Sequence, residues 1–93
     1  MATPGYVYIV TNKPNGVLYT GVTSDLSQRI DEHVAAPRGF AGRYNCARLV
    51  WFEEHASIAD AIHREKRIKK WKRDWKIALV EQDNPEWEEL DVP

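Results

Sequence analysis

The sequence predicts an α/β fold of the α+β kind, a small three-stranded antiparallel sheet flanked by helices. Short stretches rich in β-branched and aromatic residues, bounded by turn residues, indicate strands. Longer stretches with apolar residues three and four positions apart indicate helices, and the order is strand, strand, helix, strand, helix, helix. Because 93 residues suffice for one modest core, we expect a single domain over 1–93. Its core should run from about 5 to 87, with an acidic tail from about 83 to 93.

The first two strands should form a hairpin. Residues 6–11 (YVYIVT) and 17–22 (VLYTGV) enclose a segment that contains Pro-Asn-Gly, which is typical of a turn. Side chains alternate between the two faces of a strand. The sequence does not determine the register of the pairing, so whether Tyr8 and Tyr19 lie on the same face stays open.

The first helix should begin after Ser24, a preferred N-cap residue, and end near Ala36. Arg29 and His33 are four residues apart, so both can lie along one edge of this helix. Its apolar stripe is expected to contain Leu26, Ile30 and Val34.

A third strand is expected over 47–55 and a second helix from Ile58 to about Lys72, with Ser57 as its N-cap. A shorter third helix should continue through about Glu81, before the Asn-Pro pair that follows.

Glu65 is a charged residue at a position of the second helix where an apolar residue is expected. It falls within the apolar stripe formed by Ile58, Ala61, Ile62 and Ile68. Carboxylates are rarely buried unless they are paired with a cation or hold a metal. Glu65 is therefore either paired with a nearby Arg or Lys or a candidate metal ligand.

The charge is unevenly distributed along the chain, although the net charge is only −1. Residues 64–76 carry eight basic and two acidic side chains, whereas 81–93 carry six acids and no base. The basic block could pair with the acidic tail, or it could bind phosphates. The candidate nucleic-acid-binding residues are Arg43, Lys66, Lys69, Lys70, Lys72 and Arg73.

Other features exclude several classes of protein. No stretch approaches the roughly 18 apolar residues of a membrane span, and no signal peptide is expected. The lone cysteine, Cys46, should be a buried small hydrophobe, and it favours a cytoplasmic location. His33, His55 and His63 have no zinc-like spacing with it, which excludes a structural zinc site. Most of the tryptophans should be core residues, but Trp71 and Trp75, which lie among basic residues, are the pair to test for stacking on nucleic acid.

Two tyrosines, an arginine, a histidine and a glutamate on a buried face together suit phosphodiester chemistry. With YVY at 6–8 and YTG at 19–21, the sequence resembles the GIY-YIG nuclease superfamily, specifically its small stand-alone bacterial proteins. The resemblance continues through Arg29, His33, Glu65 in HREKRIKKW and Asn84 in NPEW, and it covers about 5 to 87.

The two motifs depart from the family pattern without losing a proposed catalytic side chain. Tyr6 stands where the first motif has its glycine, with Gly5 one place earlier, and Val7 and Thr20 replace isoleucines. Arg43 or Tyr44 is only a loose match to a further basic or histidine position of the family before the third strand, and that assignment stays open.

The resemblance implies a one-metal hydrolysis. Tyr8 would be the general base toward the attacking water, and Tyr19 would hydrogen-bond the water or the phosphate. A free phenol titrates near ~10, so Tyr8 needs Arg29 or the metal nearby, and the two tyrosines could exchange roles. Arg29 would bind the scissile phosphate, and His33 would orient a group or relay a proton.

The resemblance also implies that Glu65 holds one Mg²⁺ or Mn²⁺ ion and that Asn84 braces the site. The leading hypothesis is a metal-dependent endonuclease that acts on DNA, with single-stranded or branched DNA favoured over plain duplex, in repair or recombination. We expect a monomer or weak homodimer. The alternatives are a non-catalytic module that binds nucleic acid through 64–76, and a module whose basic helix binds an acidic protein.

Overall fold

A computed structural model of the chain describes residues 3–35 and 46–93. Its elements follow the predicted order and confirm the α+β fold. Within the described ranges, no helix is both long and apolar enough to cross a membrane. The elements are β1 (Gly5–Thr11), β2 (Leu18–Thr23), α1 (Leu26–Ala35), β3 (Arg48–His55), α2 (Ile58–Lys69) and α3 (Arg73–Asp83).

The sheet has the strand order β2-β1-β3, and both pairings are antiparallel. In the β1–β2 hairpin Tyr8 lies opposite Gly21, and Val10 lies opposite Tyr19. Directly opposed residues point to the same side of a sheet, and so do residues two apart on one strand. Tyr8 and Tyr19 therefore share a face, which answers the question that the sequence leaves open.

The central strand β1 is covered on both faces. Val7 and Ile9 face one cluster, which contains Ala61 and Ile68 of α2 and Val80 of α3. The other cluster contains Tyr8, Val10, Leu26, Cys46 and Leu49, with Leu90 and Val92 packed against it. The sheet thus has α2 and α3 on one side, and α1 and the C-terminal residues on the other.

Gly5 allows α2 to approach β1 closely. A Cβ atom on Gly5 would lie 2.7 Å from the Ala61 Cβ and 2.8 Å from the Ile58 Cα, closer than real Cβ contacts. The Ile58 N–H also donates to the Thr3 carbonyl at 2.8 Å, which anchors the start of the helix. These contacts determine where α2 places its side chains.

The C-terminal segment wraps the free edge of β3. The Asn84 side-chain amide donates to the Val50 carbonyl at 3.1 Å, and the Leu90 N–H donates to the Leu49 carbonyl at 2.8 Å. Between these contacts Trp87 adopts a left-handed backbone (φ 58°), and its buried indole N–H donates to Glu81 at 2.8 Å. The acidic tail is therefore packed through its apolar residues, and it protects an edge strand that could otherwise pair with another chain.

Two expectations for α1 are wrong. The cap is Asp25 rather than Ser24, because α1 begins at Leu26 and the Asp25 carboxylate accepts the Gln28 N–H at 3.1 Å. Val34 is 62% exposed, whereas His33 is buried, so the inward stripe follows 26, 30 and 33. A spacing of four and then three keeps these positions on one face.

The boundary between the second and third helices also differs from the expected one. α2 ends at Lys69 rather than about 72, and α3 continues to Asp83 rather than about 81. At the break, the Trp71 N–H bonds to the Ile68 carbonyl at 3.0 Å, and Lys72 is extended (φ −64°, ψ 152°) as the N-cap of α3. No glycine or proline lies between the two helices, so the sequence carries no strong stop signal there.

Candidate active site

The hydroxyl of Tyr8 lies at the centre of a buried polar cluster. The Arg29 Nε–H donates to the Tyr8 oxygen at 3.1 Å, and the Tyr8 oxygen lies 3.1 Å from His33 Nε2. Tyr8 is only 1% exposed and His33 only 7%. The residues come from the central strand and from the helix above it, so the fold brings together groups that are 21 to 25 positions apart in the chain.

The local sequence explains this geometry. Arg29 and His33, four apart, project from the same side of α1, and Leu26 anchors that helix in the core around Tyr8. The Arg29 guanidinium also donates to Glu32 at 2.9 Å through Nη1. The sequence analysis missed Glu32, although its spacing of three from Arg29 on a helix was the available signal.

Gly21, the last residue of the second motif, makes room for the Tyr8 ring. A Cβ atom there would overlap the Cζ and Oη atoms of Tyr8. Gly21 is therefore a positioning residue that the sequence analysis did not single out. A glycine within a strand is the signal that could have found it, because such glycines mark close approaches.

Tyr19 extends the cluster toward solvent. Its ring centroid lies 6.4 Å from that of Tyr8 and 5.7 Å from that of His33. Tyr19 is half-buried, whereas Tyr8 is almost completely buried. Of the two phenols, Tyr19 is thus the more accessible to an incoming ligand.

The electrostatics indicate a neutral phenol beside a neutral imidazole. Burial raises the pKa of Tyr8, although the hydrogen bond from Arg29 opposes this. Burial also lowers the pKa of His33, and the positive charge of Arg29 adds to that effect. The hydrogen bond to Tyr8 raises the pKa of Arg29, with smaller contributions from Glu32 and Tyr19, so the guanidinium stays charged.

Proton positions follow from the donors available. Arg29 can only donate, so the Tyr8 oxygen accepts that bond, and we assign the Tyr8 proton to its bond with His33 Nε2. This assignment places the His33 proton on Nδ1. Tyr8 is therefore aligned to pass its proton to an unprotonated nitrogen, an arrangement suited to general base catalysis.

Glu65 is buried within the inward stripe of α2, as its spacing predicts, and is only 8% exposed. Ile62, expected in the same stripe, is 37% exposed, because the stripe follows 58, 61, 65 and 68. The Glu65 carboxylate forms an ion pair with Lys69 at 2.8 Å. Its helix packs on the Val7 face of β1, opposite the Tyr8 face, and also contacts the edge strand β2, which carries Tyr19.

Asn84 lies at the β3 edge of the sheet, which is the edge opposite β2. Its side-chain amide donates to the carbonyls of Val50 at 3.1 Å and Glu88 at 2.9 Å, and its oxygen accepts the Glu88 N–H at 3.0 Å. These bonds hold the C-terminal segment on β3. Of the six predicted catalytic residues, the contacts join Tyr8, Tyr19, Arg29 and His33 in one cluster, whereas Glu65 and Asn84 bond elsewhere.

The predicted nucleic-acid-binding residues differ in their surroundings. Lys66, Lys70 and Lys72 are exposed, and Lys69 pairs with Glu65. Arg73 donates to the carbonyls of the hairpin turn, Asn15 at 2.8 Å and Gly16 at 2.7 Å. Arg43 lies outside the described residues.

The donor set around Glu65 suits an ion held by few protein ligands. Among residues 3–35 and 46–93, no group of three or more His, Cys, Asp or Glu side chains could hold a metal. Mg²⁺ often binds through one or two carboxylates, with waters and substrate phosphates as its other ligands. A single buried carboxylate that now binds the ammonium of Lys69 fits this mode, provided that Lys69 moves away.

Comparison with known proteins gives a consistent result. A model of the GIY-YIG catalytic domain matches residues 4–78. The UPF0213 protein SH2523 of Staphylococcus haemolyticus is 38% identical over 81 aligned residues, and the match covers 83% of this chain and 94% of that protein. A UPF0213 protein of Staphylococcus aureus strain Mu3 is 33% identical with the same coverage.

A solved structure is similar as well. The solution NMR structure of the UPF0213 protein BH0048 from Bacillus halodurans is 32% identical, with a TM-score of 0.57 and coverage of 92% of both chains. The match to the catalytic-domain model spans both tyrosine motifs, α1 and α2. The chain therefore belongs to the GIY-YIG family, together with the small UPF0213 proteins.

Proposed function

We propose that this protein is a metal-dependent endonuclease that hydrolyses phosphodiester bonds in DNA. The observation that carries the proposal is the Tyr8 hydroxyl held between Arg29 and His33, beside the more exposed Tyr19. A cation, a phenol and a neutral imidazole in one cluster can bind a phosphate and remove a proton from water. Membership of a nuclease family supports the same activity.

In the proposed reaction, a water oxygen attacks phosphorus, the bond to the leaving sugar oxygen breaks, and that oxygen takes up a proton from solvent. The proton of the water passes to the Tyr8 oxygen while Tyr8 gives its own proton to His33 Nε2, so His33 ends as imidazolium. This relay avoids a free phenolate, which the raised pKa of Tyr8 disfavours because the ring is buried. Tyr19, at the solvent side, would hydrogen-bond the incoming water or phosphate.

Arg29 would stabilise the phosphate as negative charge builds on its oxygens. A guanidinium has five N–H donors; in Arg29 one binds Tyr8 and one binds Glu32, and Tyr19 interacts with the same group. The Arg29 side chain is 38% exposed, so a phosphate can reach it. Its interaction with Tyr8 would also hold the phenol against the substrate.

Glu65 would hold the divalent ion, Mg²⁺ or Mn²⁺. Such an ion neutralises phosphate charge and lowers the pKa of bound water. Lys69 now occupies the carboxylate, and in the complex this lysine would turn to a phosphate instead. Asn84 would act at a distance, by holding the C-terminal segment against β3.

The test compares labelled single-stranded, branched and duplex DNA in the presence of Mg²⁺ or Mn²⁺. We expect the wild type to cut at least one of them, Glu65→Gln to lose cleavage, and Asp31→Asn to retain it. Asp31 is a matched control because it is an exposed carboxylate on α1. If the wild type cuts none of these substrates with either ion, the endonuclease proposal is wrong. If Glu65→Gln cuts as fast as the wild type, Glu65 does not hold the ion.

The second candidate function is a module that binds nucleic acid without cutting it. The exposed Lys66, Lys70 and Lys72 favour it, since affinity for nucleic acid depends on local cations. Salt-dependent binding that is lost in Lys70→Ala/Lys72→Ala but is unchanged in Tyr8→Phe, with no cleavage by the wild type, would identify this function.

A further inference from the structure

Two of the four tryptophans form an exposed corner. Trp51 and Trp87 are core residues at 5% and 1% exposure, whereas Trp75 is 57% exposed and Trp71 is half-buried. The rings of Trp71 and Trp75 meet nearly edge to face, with centroids 6.2 Å apart and planes at 77°. We call this surface the tryptophan corner, an open groove of about 330 Å³ lined by Trp71, Trp75, Ala78, Leu79 and Gln82.

The geometry of the corner suits a flat aromatic ligand. Two ring planes at a large angle let such a ligand stack on one ring while its edge meets the other. Gln82 adds an amide that can donate and accept hydrogen bonds, as the edge of a nucleobase requires. Apart from this amide the lining side chains are apolar.

The charge around the corner identifies the class of ligand. The Arg64 guanidinium lies 5.3 Å from the centre of a Trp71 ring. Lys70 and Lys72, both exposed, flank Trp71 in the chain, within the block 64–76 that carries eight basic and two acidic side chains. Aromatic platforms among cations are the combination that binds single-stranded nucleic acid, because bases stack while phosphates are neutralised.

The start of α3, which carries Trp75, is tied to the hairpin turn that precedes β2 and Tyr19. Arg73 ties the start of α3 to the turn that leads into β2, through the carbonyls of Asn15 and Gly16. Leu18 of β2 packs against the same core cluster as Trp71, whereas the next residue, Tyr19, faces the other cluster. A strand that crosses the edge of β2 would therefore meet the corner on one side and the candidate active site on the other.

We propose that the tryptophan corner is a stacking site for an unpaired nucleobase, so that the protein selects nucleic acid with a single-stranded segment. This inference rests on the proposed function and names its substrate class. A base-paired nucleotide inside a duplex cannot stack on a tryptophan ring of the corner, because both of its faces are already covered by neighbouring base pairs. The corner would thus select unpaired bases, in addition to the binding of phosphates by the basic residues.

The test measures binding in EDTA, so that cleavage plays no part. The probes are a labelled oligothymidylate and an abasic oligonucleotide of the same length, at one fixed salt concentration. Base–aromatic stacking is worth about 1–3 kcal/mol per base, so Trp75→Ala should weaken oligothymidylate binding by about 5- to 140-fold. Abasic binding should stay unchanged, and Trp75→Phe should retain most of the affinity. Val34→Ala, which also trims an exposed apolar side chain, is the matched control.

Several outcomes would overturn the proposal. Trp75→Ala could bind oligothymidylate as tightly as the wild type, or it could weaken abasic binding equally, which would indicate a general loss of affinity. Sedimentation could reveal a Trp75-dependent dimer that does not bind oligothymidylate, and the corner would then be a protein interface. Since cleavage is not measured, failure of the stacking site and failure of the nuclease proposal remain separate results.

Discussion

The Tyr8 hydroxyl should contribute to stability as well as to chemistry, and Tyr8→Phe removes that oxygen alone. The change deletes the hydrogen bonds to Arg29 and His33, both at 3.1 Å. Arg29 can turn to water because its side chain is 38% exposed. His33, at 7% exposure, is left with an unpaired buried nitrogen. The variant loses one hydrogen bond to a charged group and leaves one buried acceptor unpaired. We therefore expect its free energy of unfolding to fall by about 2 kcal/mol.

The assay is thermal and urea unfolding of the wild type, Tyr8→Phe and Tyr19→Phe. For a domain of this size, about 2 kcal/mol lowers Tm by roughly 8–16 °C. Tyr19→Phe is the matched control, because it makes the same change on the same face at a half-buried position. We expect it to cost less than Tyr8→Phe, because Tyr19 is half-buried whereas Tyr8 is only 1% exposed. Equal stabilities of the two variants would refute the buried hydrogen-bond cluster as an energetic unit.

Three further predictions concern the same face and the hairpin. Gly21→Ala should lower the free energy of unfolding by about 1–3 kcal/mol, because its Cβ overlaps the Tyr8 ring; an unchanged urea midpoint would contradict this. Burial lowers the pKa of His33 below 6.5, so the unfolded chain takes up its proton first. Stability should therefore fall as the pH drops below about 6.5, and His33→Gln should flatten that dependence in unfolding measured against pH. Arg73→Ala should lower the free energy of unfolding by about 1 kcal/mol, because it removes two hydrogen bonds to the turn. Lys72→Ala should leave the free energy of unfolding unchanged. It should instead reduce by about one the slope of log binding constant against log salt concentration for DNA.

The Glu65 carboxylate would have two alternative partners, the Lys69 ammonium in the free protein and a divalent ion in the proposed complex. Without an ion, the ammonium of Lys69 compensates the buried carboxylate. Removal of one partner of such a pair leaves an uncompensated charge, which is destabilising. In the proposed complex, the same lysine would become available to a phosphate once a divalent ion binds the carboxylate. Lys69 would thereby connect the two proposed roles of this helix, metal binding and phosphate binding.

Much of the local structure was predictable because it depends on neighbours in the chain. The alternation around Tyr8 and the Pro-Asn-Gly turn predicted the hairpin, and Asn15 indeed adopts the left-handed backbone that such turns use (φ 57°). The spacing within α2 correctly placed Glu65 on the buried side. Val34 was misplaced because two adjacent positions, 33 and 34, both continue the spacing from Ile30, and only packing selects between them.

By itself, the sequence determined the order of strands and helices, the family and the identity of the candidate catalytic residues. Only the tertiary structure decided that Tyr8 and Tyr19 share a face, that Gly21 lies beneath the Tyr8 ring, and that Arg73 holds the turn. The physical reason is the sequence separation over which each kind of interaction acts. Periodicity and turn chemistry act over a few residues, whereas strand register, ring placement and buried hydrogen bonds depend on contacts between segments that are tens of residues apart.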